Sequence, residues 1–132
     1  MIRGGLISPN SSCRVFDADA DGYVRAEAAN MVYLKPLADA LRDGNPVRAV
    51  IRGASTNHDG RGDNESSMYY PSSEGQEDLI RKCYAAAGIR DLGLTAHFET
   101  HGTGTPAGDP VETRAIANGA FRYPQGEREV TG

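Results

Sequence analysis

The chain has 132 residues, enough for one small domain, and its hydrophobic and charged fractions of 39% and 24% are those of an ordinary globular protein. Its net charge of −4 argues against a nucleic-acid-binding protein, and no apolar run approaches the roughly 18 residues that a membrane span needs. Two widely separated Cys form neither a disulfide framework nor a cysteine zinc site, and the N-terminus lacks the apolar core of a secretory signal. We therefore expect a reduced, cytoplasmic protein.

The first half of the chain alternates short apolar runs with turn residues. Residues 30–35 are almost continuously apolar, which is typical of a strand buried on both faces. Pro36 ends that run and favours the start of a short helix, which Gly44 ends. Residues 47–54 alternate in polarity and predict a second strand. A long polar loop is expected over residues 55–71.

The second half repeats this order. Residues 73–76, Ser-Glu-Gly-Gln, have the pattern of a capping box at the start of a helix that Gly88 ends. Residues 94–100 predict a third strand, which a Gly/Thr loop follows. Asp109 is then expected to be the N-cap of a third helix, with Glu112 completing its capping box. The order β-α-β-loop-α-β-loop-α predicts an α/β fold.

Two patterns suggest metal binding without meeting its requirements. Residues 17–28 place carboxylates at the first, third and fifth positions of a calcium-type loop, but the twelfth position, where a Glu is needed, is Ala28. A solvated acidic loop is therefore favoured, with a calcium module as an alternative. His97, Glu99 and His101 share one parity of the predicted strand, but they do not form the helical zinc pattern. No metal site is predicted.

One group of residues has the character of a reaction site. His101 follows the third predicted strand, and ligands bind at strand ends in α/β folds. A histidine can act near neutral pH as base, acid or donor to developing negative charge. Thr103 and Thr105 in the following loop could bind a polar chain such as an amide linker. The residues alone leave open whether this loop is a site or a connection.

A longer motif gives this loop a family context. The run His101-Gly-Thr-Gly-Thr-Pro-x-Gly-Asp-Pro-x-Glu112 resembles the β-ketoacyl synthase (ketosynthase) domain of type I polyketide and fatty acid synthases. Further matching motifs lie at residues 16–27, 34–40, 43–53 and 57–60. They keep the order and spacing of that family over roughly residues 5–121, and their residues are most similar to those of the iterative fungal polyketide synthases.

The resemblance implies a thiolase-like fold of five layers, α-β-α-β-α, built from two similar halves. Residues 1–70 would form the end of the N-terminal half, and residues 71–132 the start of the C-terminal half. The parent protein would be a homodimer, and this chain would be part of its ketosynthase domain.

The chemistry that the resemblance implies is a decarboxylative Claisen condensation of acyl and malonyl thioesters. No cofactor would be bound, because the phosphopantetheine arm of an acyl carrier protein carries the substrates. His101 corresponds to the first of two catalytic histidines, and Thr103 and Thr105 to residues that hydrogen-bond the pantetheine arm. Asp109 and Glu112 would form the structural cap of the site. The expected partners are the carrier protein, the thioesters and the rest of the synthase module.

The sequence departs from the family at the other two catalytic positions. The Thr-Ala-Cys-Ser-like nucleophile segment and the segment with the second histidine are absent. Cys13 does not match the nucleophile motif, and Cys83 falls on the apolar side of a predicted helix. We therefore expect the isolated chain to be inactive. The alternative from another class is a non-catalytic α/β binding or scaffold protein derived from such a domain.

Overall fold

A computed structural model of the protein describes residues 6–58 and 71–121. Within those residues the chain forms helices α1 (Leu37–Arg42), α2 (Ser73–Ala86) and α3 (Gly108–Phe121), with a 3₁₀ turn at Leu92–Leu94. Most of the predicted polar loop, residues 59–70, lies outside the described part. None of the helices in that part is long and apolar enough to cross a membrane.

Helix α1 forms where the sequence predicts it. Pro36 is its N-cap, and Ala40 is the buried residue of the helix. Gly44 adopts φ +67°, the left-handed conformation that commonly ends a helix, and the N–H of Asn45 donates to the carbonyl of Ala40 at 2.9 Å.

Helix α2 is also confirmed, with its cap one residue earlier than predicted. The Ser72 hydroxyl accepts a hydrogen bond from the N–H of Gly75 at 3.0 Å, so Ser72 and not Ser73 is the N-cap. At the other end Gly88 has φ +68° and its N–H donates to the carbonyl of Ala85. The glycine that the sequence placed after the helix therefore ends it.

The predicted strands do not form in the described residues. Residues 30–35, 47–54 and 94–100 have no strand partner there, and Leu94 lies in the 3₁₀ turn. The one β-type pairing in the described residues is a single parallel bridge between Ile7 and Tyr23. A strand needs a neighbour for its backbone N–H and C=O groups, and periodicity alone does not supply one. The burial expected on both faces is also wrong. The exposed fraction is 100% at Met31, 83% at Val32, 86% at Tyr33 and 70% at Leu34.

Helices α2 and α3 pack against each other and support the residues that follow them. Gly119 lies against Ile80, where an added Cβ would be 3.3 Å from the isoleucine Cγ2. The Arg81 guanidinium donates to the carbonyl of Asn118 at 2.6 Å. Tyr84 reaches the extended residues after the 3₁₀ turn, since its hydroxyl lies 2.7 Å from the Thr95 hydroxyl. The helix pair therefore fixes the chain that leads into residue 101.

Candidate functional site

The site loop, residues 101–107, lies between α3 and a second loop, residues 6–23, which we call the N-terminal loop. The N–H of Gly22 donates to the carbonyl of Gly104 at 2.9 Å. Gly104 has φ +69°, and an added Cβ would lie 3.1 Å from the backbone N of Arg14. A side chain at 104 would therefore meet both backbone strain and the N-terminal loop.

The carboxylate of Glu112 fixes the start of the site loop. One oxygen accepts from the N–H of His101 at 2.6 Å, and the other accepts from the N–H of Gly102 at 2.9 Å. Hydrogen bonds to an ionised carboxylate are short and strong. The predicted capping-box role of Glu112 is therefore wrong, because its carboxylate accepts from His101 and Gly102. Glu112 binds the loop before the helix instead of returning to an N-cap residue.

Asp109 joins three segments of the chain. Its side chain is 6% exposed, one oxygen accepts from the N–H of Gly104 at 3.0 Å, and the other accepts from the N–H of Phe16 at 2.9 Å. The predicted N-cap role is wrong, because α3 begins at Gly108 and both carboxylate oxygens bind N–H groups outside the helix. A buried carboxylate here has two donors, and the positive end of the helix also favours it.

The two threonines differ in what their hydroxyls are free to do. The hydroxyl oxygen of Thr105 accepts from the N–H of Gly108 at 3.0 Å and lies 3.0 Å from the hydroxyl of Thr103. Thr105 is also buried, whereas Thr103 is half-buried. The fold thus uses Thr105 to begin α3 and leaves Thr103 as the more accessible of the two.

His101 is presented on the surface by this scaffold. Its residue is exposed, and Glu112 holds it through the backbone N–H and not through the ring. The imidazole therefore remains available for a partner while the backbone that carries it is fixed. An exposed histidine on an anchored loop can donate a hydrogen bond to developing negative charge.

The candidate metal patterns are not assembled into sites. His97 and Glu99 form an exposed pair at 3.1 Å. In the acidic loop one Asp17 oxygen accepts from the N–H of Asp19 at 2.9 Å, and Asp21 accepts from the side chain of Asn10. Over residues 6–58 and 71–121, no three His, Cys, Asp or Glu side chains are grouped so that they could hold a metal ion.

Sequence reasoning missed the contribution of the N-terminal loop. Phe16 and Gly22 supply backbone N–H groups that hold Asp109 and the site loop in place. Gly22 has φ +129°, and an added Cβ would lie 2.6 Å from the backbone N of Ser8. The Phe-Asp and Asp-Gly dipeptides in this loop were signals of the family, but they gave no sign of contact with residues more than eighty positions later.

Two family models match the chain. The N-terminal domain of β-ketoacyl synthase matches residues 1–40, and the C-terminal domain of β-ketoacyl synthase matches residues 48–130. Together they cover most of the sequence, including the site loop. The resemblance that the motifs indicated is confirmed, whereas the proposed boundary between residues 70 and 71 stays a prediction.

Curated relatives come from fungal polyketide synthases. A highly reducing polyketide synthase of Byssochlamys spectabilis is 60% identical over 118 residues, covering 89% of this chain and 5% of that protein. Another, of Arthrinium phaeospermum, is 54% identical over 114 residues, covering 86% of this chain and 4% of that protein. The chain thus spans about a twentieth of their length.

Solved structures confirm the thiolase-like fold class. The ketosynthase from module 6 of the bacillaene synthase of Bacillus subtilis 168 matches with a TM-score of 0.80 and 36% identity, covering 89% of this chain and 21% of that one. An oxazolomycin ketosynthase domain of Streptomyces albus matches with a TM-score of 0.79 and 38% identity, covering 90% of this chain and 20% of that one. The described helices and extended segments therefore follow the path of part of a ketosynthase domain.

Proposed function

The chain belongs to the β-ketoacyl synthase family, and from this we propose that its parent domain condenses acyl and malonyl thioesters in a highly reducing polyketide synthase. The observation that carries the proposal is the presentation of His101. The residue is exposed at the start of the family motif, and its backbone is held by the Glu112 carboxylate. Fixed placement of a donor is what charge stabilisation in a transition state requires.

In the proposed reaction a cysteine of the parent domain holds the acyl group as a thioester. The malonyl thioester loses CO₂, and the electron pair of the broken C–C bond forms an enolate. The enolate carbon attacks the acyl carbonyl, a C–C bond forms, and the cysteine leaves as its thiolate. His101 would donate to the enolate oxygen, where negative charge develops. The fit of the family motif to residues 101–112 supports this role.

The substrates are proposed to arrive on the phosphopantetheine arm of an acyl carrier protein. The arm contains amide groups, so it needs hydrogen-bonding side chains beside His101. We assign that contact mainly to Thr103, because the Thr105 hydroxyl already accepts from the N–H of Gly108. Thr105 then supports the arm indirectly by holding Thr103, whose hydroxyl lies 3.0 Å away.

The proposal extends to the assembly in which the domain works. We place residues 1–70 at the end of the N-terminal half of the ketosynthase and residues 71–132 at the start of its C-terminal half. The partners are the carrier protein, the rest of the synthase module and a second copy in a homodimer. A cytoplasmic location fits the free thiols of Cys13 and Cys83. The isolated chain should be inactive, because neither thiol matches the family nucleophile.

The test is a hybrid ketosynthase, meaning the ketosynthase domain of the Byssochlamys spectabilis relative with its matching stretch replaced by this chain. In the hybrid, His101→Ala should lower malonyl decarboxylation and condensation by about 10²–10³-fold, the usual cost of removing one stabilising donor. Acyl loading on the cysteine should persist, because that step depends on other groups. Loading is measured by mass spectrometry of the acylated protein, and condensation by product formation.

His97→Ala is the matched control, since His97 is an exposed histidine four positions earlier whose described side-chain partner is Glu99. It should leave both steps unchanged. Equal loss of loading and condensation in His101→Ala would refute the division of roles. An unsubstituted hybrid that folds but does not condense would favour the scaffold alternative.

A further inference from the structure

A cleft of about 390 Å³ opens between the N-terminal loop and the start of α3. Its apolar lining comes from both sides: Phe16 and Ala20 from the N-terminal loop, Pro106 from the site loop, and Pro110 from α3. Thr105, which precedes Pro106, also borders it. The cleft is therefore continuous with the loop that carries His101.

Four polar side chains border the cleft: Thr105, Asp109 and Thr113 are engaged by the fold, and the exposed Asp17 accepts the N–H of Asp19 at one carboxylate oxygen. The Thr105 hydroxyl accepts from the N–H of Gly108, and the Thr113 hydroxyl donates to the carbonyl of Asp109 at 2.8 Å. Both oxygens of the Asp109 carboxylate accept backbone N–H groups. A bound group would thus gain little by hydrogen bonding to Thr105, Asp109 or Thr113, and the apolar part of the lining is suited to a saturated hydrocarbon group.

Phe16 is the largest side chain on this cleft and has an unusual backbone. Its φ is +60°, a conformation that bulky residues rarely adopt, and its side chain is 53% exposed. Two hydrogen bonds hold it there: the Phe16 N–H donates to the buried Asp109 carboxylate at 2.9 Å, and the Asp17 N–H donates to the carbonyl of Arg14 at 3.3 Å. The backbone from which the ring projects is thus held by the same carboxylate that holds the site loop.

We propose that Phe16 is a specificity-determining residue whose ring limits the hydrocarbon group of the thioester substrate that enters the cleft beside the site loop. This inference rests on the proposed function. Two parts of the substrate share the required chemistry, namely the acyl chain and the dimethyl-bearing portion of the pantetheine arm. In either case Phe16 acts by shape, because the cleft offers an aromatic wall and two proline rings.

The experiment measures kcat and KM of the hybrid ketosynthase with acyl thioesters of two, six and ten carbons. Each chain is offered on pantetheine and on N-acetylcysteamine, which lacks the dimethyl group. Phe16→Ala should change KM by about tenfold, the effect of one or two methylene-sized contacts, with a smaller change in kcat. A change that grows with chain length identifies the acyl chain. A change confined to the pantetheine series identifies the arm.

Two further variants keep the result interpretable. Phe16→Gly suits the positive φ and removes the ring, so it should fold and show the same KM shift. Phe16→Leu should restore part of the wild-type profile, and Val24→Ala, outside the cleft, should leave it unchanged. KM values and chain-length profiles that stay within twofold of wild type in Phe16→Ala and Phe16→Gly would overturn the proposal. Loss of condensation by the unsubstituted hybrid would instead refute the proposed function.

Discussion

Two regions of the molecule differ in how far their backbone N–H and C=O groups find partners in the described chain. In the site region, residues 6–23 and 101–121, the loops are held by carboxylates and by backbone contacts within the described chain. In the central region, residues 30–58, the segments predicted as strands have no strand partner in the described part. Their large apolar side chains are exposed, from Val47 at 42% to Met31 at 100%.

The difference shows which structures a short stretch of a large fold can complete by itself. A carboxylate satisfies two N–H groups at once, so a few residues are enough to fix a loop. A sheet strand needs a whole neighbouring strand and a layer on each face. The site region is therefore held by contacts among the described residues, whereas the strands predicted in the central region have no neighbouring strand among them.

The largest effect of a single substitution should come from a glycine in the site region. Gly22→Ala should destabilise the hybrid ketosynthase by about 2–4 kcal/mol, because φ is +129° and the new Cβ would lie 2.6 Å from the backbone N of Ser8. Gly44→Ala is the matched control, with φ +67° and nothing within 4 Å of the Cβ. It should cost about 1 kcal/mol. Urea unfolding measures both. Equal costs would mean that the site region is no more tightly packed than the central region.

Asp109→Asn should cost about 2–3 kcal/mol. The amide keeps the shape of the carboxylate, but it offers one acceptor oxygen to two N–H donors, so one buried donor loses its partner. Asp91→Asn is the control, since its exposed carboxylate accepts the N–H of Gly93 and should cost less than about 1 kcal/mol. Denaturation curves of the two hybrids give the comparison. Similar losses would show that Asp109 is not the central anchor of the site region.

The central region should respond oppositely in two settings. In the isolated 132-residue chain, changing Met31 and Tyr33 to Thr should reduce binding of a hydrophobic dye and aggregation, because both side chains are exposed. In the hybrid the same pair should destabilise by about 2–5 kcal/mol, because covered apolar side chains are lost. Dye fluorescence and thermal unfolding report the two effects. A sharp cooperative melt of the unsubstituted chain alone would break the comparison.

The smallest effect should be a pH dependence near α1. The Arg42 guanidinium and then the Lys35 ammonium lower the pKa of Asp43, with nitrogen–oxygen distances of 2.8 and 2.5 Å. A lowered pKa means that the stabilisation is present above the ordinary aspartate range and is lost as pH falls below about 4. The protection of the Asn45 amide from hydrogen exchange, relative to its intrinsic rate at each pH, should fall in that window. Asp43→Asn should remove this pH dependence. An unchanged profile would show that the pair contributes nothing.

Local signals predicted α1 and α2 correctly. Pro36 directly precedes α1, and Gly44 and Gly88 lie two residues after the last residues of α1 and α2, because caps and left-handed glycines act through nearby residues. The strand predicted to end at His101 does not form in the described residues, and the catalytic role assigned to His101 stays a prediction.

The errors concern partners that are distant in sequence. Asp109 looked like an N-cap, because such a carboxylate normally binds the first turn, yet one of its donors is the N–H of Phe16, 93 positions away. The strands predicted at 30–35 from an apolar run and at 47–54 from alternating polarity do not form in the described residues, because neither pattern says which strand would lie alongside. The site loop was therefore recognisable as a motif, while its support by the N-terminal loop was not.

The anchoring of the site loop through its backbone has a consequence for protein engineering. Glu112 and Asp109 accept hydrogen bonds from backbone N–H groups, which every residue except proline provides. The path of the loop is therefore specified mainly by residues outside it. The side chains at 101 and 103 can then be exchanged without rewriting that path. A loop transplanted into another ketosynthase would keep its shape only if the first turn of α3 and the turn at Gly22 were transplanted with it.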